Sequence, residues 1–193
     1  PRNLINTLNQ VDYIVLAPGI SLFKNKILNR FKKKVITDID LFFLAKNKPK
    51  SIVVTGTNGK STTCKLLAHL LKKNKFKISL GGNIGTPILD LNGSKNHFVI
   101  IEASSFQLSH SKFICPNYGF FLNLTNDHLE WHGNKSNYLN SKLRIFRLQN
   151  RNHFAIINKK LKNIFLKNKF TSKLVIPKDT DYKKVKRKIK NNY

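Results

Sequence analysis

The chain has 193 residues, long enough to bury the core of one large domain or of parts of two. Its formal charge of +27 invites a nucleic-acid partner, yet 30 of the 36 basic residues are lysines spread over the whole length, as A/T-rich codons produce, and base readout leans on arginine; no nucleic-acid partner is expected. Two cysteines make no disulfide framework and fit reduced, cytosolic chemistry, no apolar run approaches the roughly 18 residues of a membrane span, and no signal peptide is visible.

With no methionine, the chain does not start naturally at Pro1, and a fragment or an N-terminally trimmed protein is expected. Residues 13–16 read as a strand that ends at Ala17, Pro18 and Gly19, a turn punctuated by Pro and Gly. A helix is expected around residues 25–33, then Val35 and Ile36, then a second apolar segment at 39–45. The polar, proline-bearing stretch 46–50 breaks the pattern, and a domain boundary is placed there, dividing 1–48 from 49–193.

From Ser51 the alternation becomes regular. Ile52, Val53 and Val54 read as a short buried strand, and Cys64, Leu67, Ala68 and Leu71 fall on one stripe of a helix. Between them runs Thr55, Gly56, Thr57, Asn58, Gly59, Lys60, Ser61, Thr62. Strand, glycine turn and a helix opening on Lys-Ser form the layout of a phosphate-binding loop, in which backbone N–H groups surround phosphate, Lys60 reaches the terminal phosphates and Ser61 ligates Mg²⁺. The first glycine of the general pattern is replaced by Val54, so a ligand-free turn is the competing reading.

A strand near 77–80 leads into Gly81–Pro87, too glycine-rich for a regular element. It is either a surface turn or a loop that admits a ligand, with the Asn83 amide available to hydrogen-bond it. The strand at 97–101 runs into Glu102, one of two glutamates in the chain, placed where α/β sheets bind ligands; it either holds Mg²⁺ or pairs with a lysine, and the upstream loop favours the metal. Another strand at 118–122 ends in a polar run containing His128, a ligand or hydrogen-bond donor candidate. On the helix around 136–148, Tyr138, Leu139, Leu143, Ile145 and Phe146 share a face, and Lys142 projects from inside that apolar arc. It is either a snorkelling stem or a desolvated amine with a lowered pKa. A last clear strand covers 154–157, the pattern weakens beyond Asn158, and the lysine run at 183–190 reads as a solvated end.

At this point the residues resemble the Mur ligases. The loop TGTNGKST is shared with folylpolyglutamate synthases; GNIGTP from Gly82, EASSFQL from Glu102, NLTNDHL from Asn123 and SKLRIF from Ser141 are, in combination and order, most similar to the D-glutamate-adding branch, as are VLAPGI and DIDLF further upstream. The resemblance implies an α/β fold: the end of a Rossmann-like UDP-sugar-binding domain, then an incomplete central ATPase domain with a P-loop-type, mostly parallel sheet flanked by helices, and no third domain. It implies an ATP-dependent ligase, a cytoplasmic monomer, joining D-glutamate to UDP-N-acetylmuramoyl-L-alanine through an acyl phosphate, with this piece inactive alone. ATP is expected along Gly56, Thr57, Asn58, Gly59, Lys60, Ser61 and Thr62. One Mg²⁺ is expected on Ser61 and Glu102, the second on His128 and N-carboxylated Lys142, and the substrate on Pro18, Gly19, Asn83 and His128. Ala17 stands where the family often has serine, and Ala103 where leucine is common.

Overall fold

The computed structural model describes residues 2–22, 24–46, 48–91, 94 and 97–178, so the lysine run at 183–190 lies outside the described residues. Helix α1 (Arg2–Gln10) precedes a two-stranded parallel sheet of β1 (Ile14–Val15) and β2 (Val35–Ile36), connected through α2 (Lys26–Arg30), and α3 (Asp38–Leu44) follows. Thr37 and Asp40 close a capping box at the start of α3, which explains why the apolar segment at 39–45 is helical.

Six strands then build one sheet in the order β4-β5-β3-β6-β7-β8: β3 (Lys50–Thr55), β4 (Lys77–Gly82), β5 (His97–Glu102), β6 (Tyr118–Phe121), β7 (Phe154–Ile157) and β8 (Lys173–Val175). Every pairing in it is parallel, as the sequence predicts for an α/β fold. β3 lies between β5 and β6, so the loop leaving β3 emerges between the ends of both neighbours, at a reversal of strand order.

The helices cover the two faces unequally. Cys64 and Ala68 of α4 (Lys60–Lys73) pack with Ile52, Val54 and Ile100 on one face. The larger cluster on the other joins Val53, Val99 and Ile101 to Leu108 of α5 (Ser105–Ser109), Leu143 and Phe146 of α7 (Lys135–Arg147), which follows the short α6 (Leu129–His132), and Phe165 of α8 (Lys162–Lys167). Ile39, Phe42 and Phe43 of α3 belong to that same cluster, so the segment before β3 is tied to the main core.

Two expectations are corrected. Gly81 and Gly82 do not leave regular structure; they finish β4, paired with Ile101 and Glu102. Missing side chains allow this: a Cβ on Gly81 would sit 2.1 Å from the Thr86 oxygen, and one on Gly82, at φ +100°, 2.5 Å from the Glu102 oxygen. The chain also stays regular beyond Asn158, where α8 and β8 complete the sheet. Among the described residues no helix is long and apolar enough to cross a membrane.

Candidate functional site

The loop between β3 and α4 is held from below by the segment after β6. Thr57 N–H donates to the main-chain and side-chain oxygens of Asn123, both at 3.1 Å. Asn58 N–H donates to the same Asn123 Oδ1 at 2.9 Å, and Asn123 Nδ2 returns a bond to the Asn58 oxygen at 3.0 Å. The Thr57 hydroxyl accepts from Thr125 N–H and lies 3.0 Å from the Tyr138 hydroxyl. Gly59, left-handed at φ 80°, turns the chain into α4, whose first residue is Lys60.

Lys60 folds back onto its own loop, its ammonium donating to the oxygens of Gly56 at 3.1 Å and Thr57 at 2.8 Å. Lys142 reaches the same place from α7: its Nζ donates to the Gly56 oxygen at 2.8 Å and stands 4.6 Å from the centre of the Tyr138 ring. Lys142 is only 1% exposed, so burial first and the charge of Lys60 second lower its pKa to about 7, against an opposing pull from Asp127. The side chain therefore does not snorkel to solvent but ends on the loop, buried.

Lys60, Asn83, His128 and Lys142 line one cavity of about 130 Å³, together with Gly56 and Thr57 of the loop. Glu102 joins through Asn83, whose amide nitrogen donates to Glu102 Oε1 at 3.2 Å. His128 is exposed, in left-handed backbone at φ 50°, 3.3 Å from Asp127 and with its ring 4.7 Å from that of Phe106. Ser61 is half-buried on α4 and Asn58, Gly59 and Thr62 are exposed on the loop and helix start; none of these four is in the cavity wall. Pro18 and Gly19 also lie outside it. A larger open groove of about 1000 Å³ beside β6 and β7 contains none of the site residues expected from sequence.

Residues the sequence left unassigned complete the wall: Ser104, Ser105, Phe106, Asp127 and Tyr138. A signal existed for the first three, because Ser104 and Gln107 form the capping box that starts α5. Tyr138 gave none, since its hydroxyl contact is made 81 positions away.

Glu102 is 2% exposed, and its Oε2 is buried with no hydrogen-bond partner. An orphaned carboxylate oxygen beside the glycine-bearing loop after β3 offers what a hard, oxygen-seeking cation requires, so the residues fit Mg²⁺. Among the described residues no three His, Cys, Asp or Glu side chains gather to hold a metal by themselves. Phosphate oxygens and water would have to supply the remaining ligands, as is usual for this ion.

The model of the Mur ligase middle domain matches residues 54–193. The chain belongs to the Mur ligase family. The UDP-N-acetylmuramoylalanine--D-glutamate ligase of Rickettsia bellii (strain RML369-C) is 41% identical over 150 residues, covering 77% of this chain and 33% of that protein. The chain thus spans about a third of the length of the curated relatives it matches. Among solved structures, the UDP-N-acetylmuramate:L-alanyl-gamma-D-glutamyl-meso-diaminopimelate ligase of Neisseria meningitides superposes with a TM-score of 0.58 at 17% identity, over 89% of this chain and 60% of that one. MurF of Thermotoga maritima in complex with ADP superposes at 0.53 and 20% identity, over 78% and 43%. At these identities the likeness is one of fold.

Proposed function

We propose that this Mur ligase chain is part of an ATP-dependent enzyme that adds D-glutamate to UDP-N-acetylmuramoyl-L-alanine, a step in making peptidoglycan precursors. The observation that carries the reading is the convergence of Lys60, Asn83, His128 and Lys142 on one cavity, with Asn83 bonded to one oxygen of Glu102 and the other oxygen of that carboxylate buried and unpaired. The name shared by the relatives supports the substrate pair.

In this reading Lys60 exchanges the loop carbonyls for the terminal phosphates of ATP, which lie along Gly56–Thr62 backbone N–H groups. Ser61 and Glu102 would hold one Mg²⁺, and His128 and Lys142, the latter as its carbamate, would hold the second; the ions would supply neutralisation of phosphate charge and polarisation of the transferred group. Lys142 is suited to carbamate formation because only a neutral amine attacks CO₂; the new N–C bond forms as a proton leaves to solvent. Asn83 and the Pro18–Gly19 turn position the UDP-sugar. Its alanyl carboxylate attacks the γ-phosphate, giving an acyl phosphate and ADP, and the D-glutamate amine then displaces phosphate through a tetrahedral adduct. Residues 1–48 act as the end of the UDP-sugar-binding part and 49–193 as the ATPase part, in a monomeric cytoplasmic enzyme that has no nucleic-acid partner.

The test is ADP release by the chain extended to its relatives' full length. Sustained, multiple-turnover ADP release should require both the UDP-sugar and D-glutamate, and Lys60→Ala should slow it by on the order of 10²–10³. Release that ignores both acceptors would instead make this an ordinary P-loop NTPase. The 193-residue chain alone should give little product.

A further inference from the structure

Phe106, in the wall of the first cavity, stacks on His132, whose ring lies 5.8 Å away in the wall of a second. This second cavity, of about 180 Å³, is enclosed by Ser21 from the N-terminal segment, His110 at the end of α5, and Trp131, Asn137, Asn140 and Arg144 from the two helical segments after β6. No Asp or Glu contributes to its wall.

Two of its ring nitrogens, Trp131 Nε1 and His110 Nε2, are buried and have no hydrogen-bond partner. An indole N–H can only donate, so the missing group must present an acceptor. Buried donors without acceptors are rare enough to call for an explanation such as an ion. The Arg144 guanidinium sets its sign. One of its nitrogens donates to the Ser111 carbonyl, which leaves other N–H groups of the fork free of that bond. The carboxylate whose field reaches Arg144 is Asp40, and its oxygens are already engaged by Ser111 Oγ and by the N–H groups of Thr37, Lys112 and Phe113. Burial first, and then the positive charges of Arg144 and Lys112, hold His110 down to about 4, so its imidazole is neutral and can offer Nε2–H.

We infer that this cavity is a second anion site, taking a small oxyanion (phosphate or a compact carboxylate) and separate from the phosphate-binding loop. An oxyanion there would accept from the indole, the imidazole and the guanidinium together, and would bridge the N-terminal segment at Ser21 to α7.

Trp131 is the only tryptophan in the chain, so its fluorescence reports on the cavity directly. The experiment titrates the full chain with inorganic phosphate and, separately, with glutarate, at ionic strength matched with chloride. A saturable change with either ligand is expected, and the two arms identify which oxyanion is preferred. Lys60→Ala should retain that change, because the loop is not involved. Asn140→Asp alters an exposed residue and should not disturb folding; placing a carboxylate in the wall should weaken binding about tenfold or more. Arg144→Gln should abolish it. No saturable change would mean that the cavity holds solvent only, and a signal lost in Lys60→Ala but intact in Asn140→Asp would return the anion to the loop; either result overturns the inference.

Discussion

Lys60 and Lys142 donate to one and the same oxygen, the Gly56 carbonyl, at 3.1 and 2.8 Å. Of these two ammonium groups the one nearly sealed from water yields, through burial first and repulsion by its neighbour second. Lys142 is that one, with its pKa lowered from 10.5 to about 7. Below about 7 the amine is charged both folded and unfolded, and unfolding exchanges no proton. Between about 7 and 10.5 the unfolded chain binds the extra proton, so stability rises with pH across that window. Urea denaturation at pH 7 and pH 10 should show a gain of a few kcal/mol for the native sequence, beyond that of Lys142→Met, which lacks the group. Parallel changes in the two proteins would remove Lys142 as the cause.

Carbamate formation at Lys142 makes a second, chemical prediction. Protein equilibrated with ¹³C-bicarbonate near pH 8 should show a carbamate carbon resonance, absent from Lys142→Ala. In the extended enzyme that variant should lose on the order of 10²–10³ in rate, and short carboxylates should restore part of it. Normal turnover by Lys142→Ala would end the ligand assignment.

Asn123 is the clamp beneath the loop, accepting from Thr57 and Asn58 N–H and donating to the Asn58 oxygen. Asn123→Ala should cost about 1–3 kcal/mol in stability and weaken Mg·ATP binding, because the loop loses its preset shape. Asn123→Asp keeps the acceptor but forfeits the bond to the Asn58 oxygen, and should fall between. Calorimetric titration with Mg·ATP checks the order; equal affinity in all three would show that the loop holds its shape alone.

What could be read ahead of the structure was local. The strand, the glycine turn and the apolar stripe through Cys64, Leu67, Ala68 and Leu71 sit within one stretch of chain, and so does the anomaly of Lys142 inside an apolar arc. The glycines at 81 and 82 misled because their role is set by Thr86 and Glu102 oxygens that no local pattern shows. β8 is a three-residue edge strand and α8 carries lysine at both ends, so neither has enough apolar periodicity to declare itself. Tyr138 reads as core from its spacing, and it is core, 1% exposed; its hydroxyl's bond to Thr57 in the loop after β3 depends on the fold.

Asp40 offers a test of how the segment before β3 is fastened to the rest. Its side chain is fully buried, with Oδ1 accepting from Ser111 Oγ at 2.7 Å, Lys112 N at 2.8 Å and Phe113 N at 2.7 Å, while Oδ2 accepts from Thr37 N at 3.0 Å. One carboxylate thus closes the start of α3 and also seats the loop after α5. Asp40→Ala leaves those buried and part-buried donors without their acceptor, where each orphan costs about 1–3 kcal/mol, and should destabilise the chain by about 3 kcal/mol in urea. Asp40→Asn retains one acceptor oxygen and the shape, but turns an NH₂ toward groups that donate, so it should recover only part of the loss. Because Ile39, Phe42 and Phe43 share the main core, unfolding of the Ala variant should remain a single transition rather than a separate early melting of residues before β3. A loss below about 1 kcal/mol would show that solvent or another oxygen serves those donors, and that apolar contact alone binds α3 to the sheet.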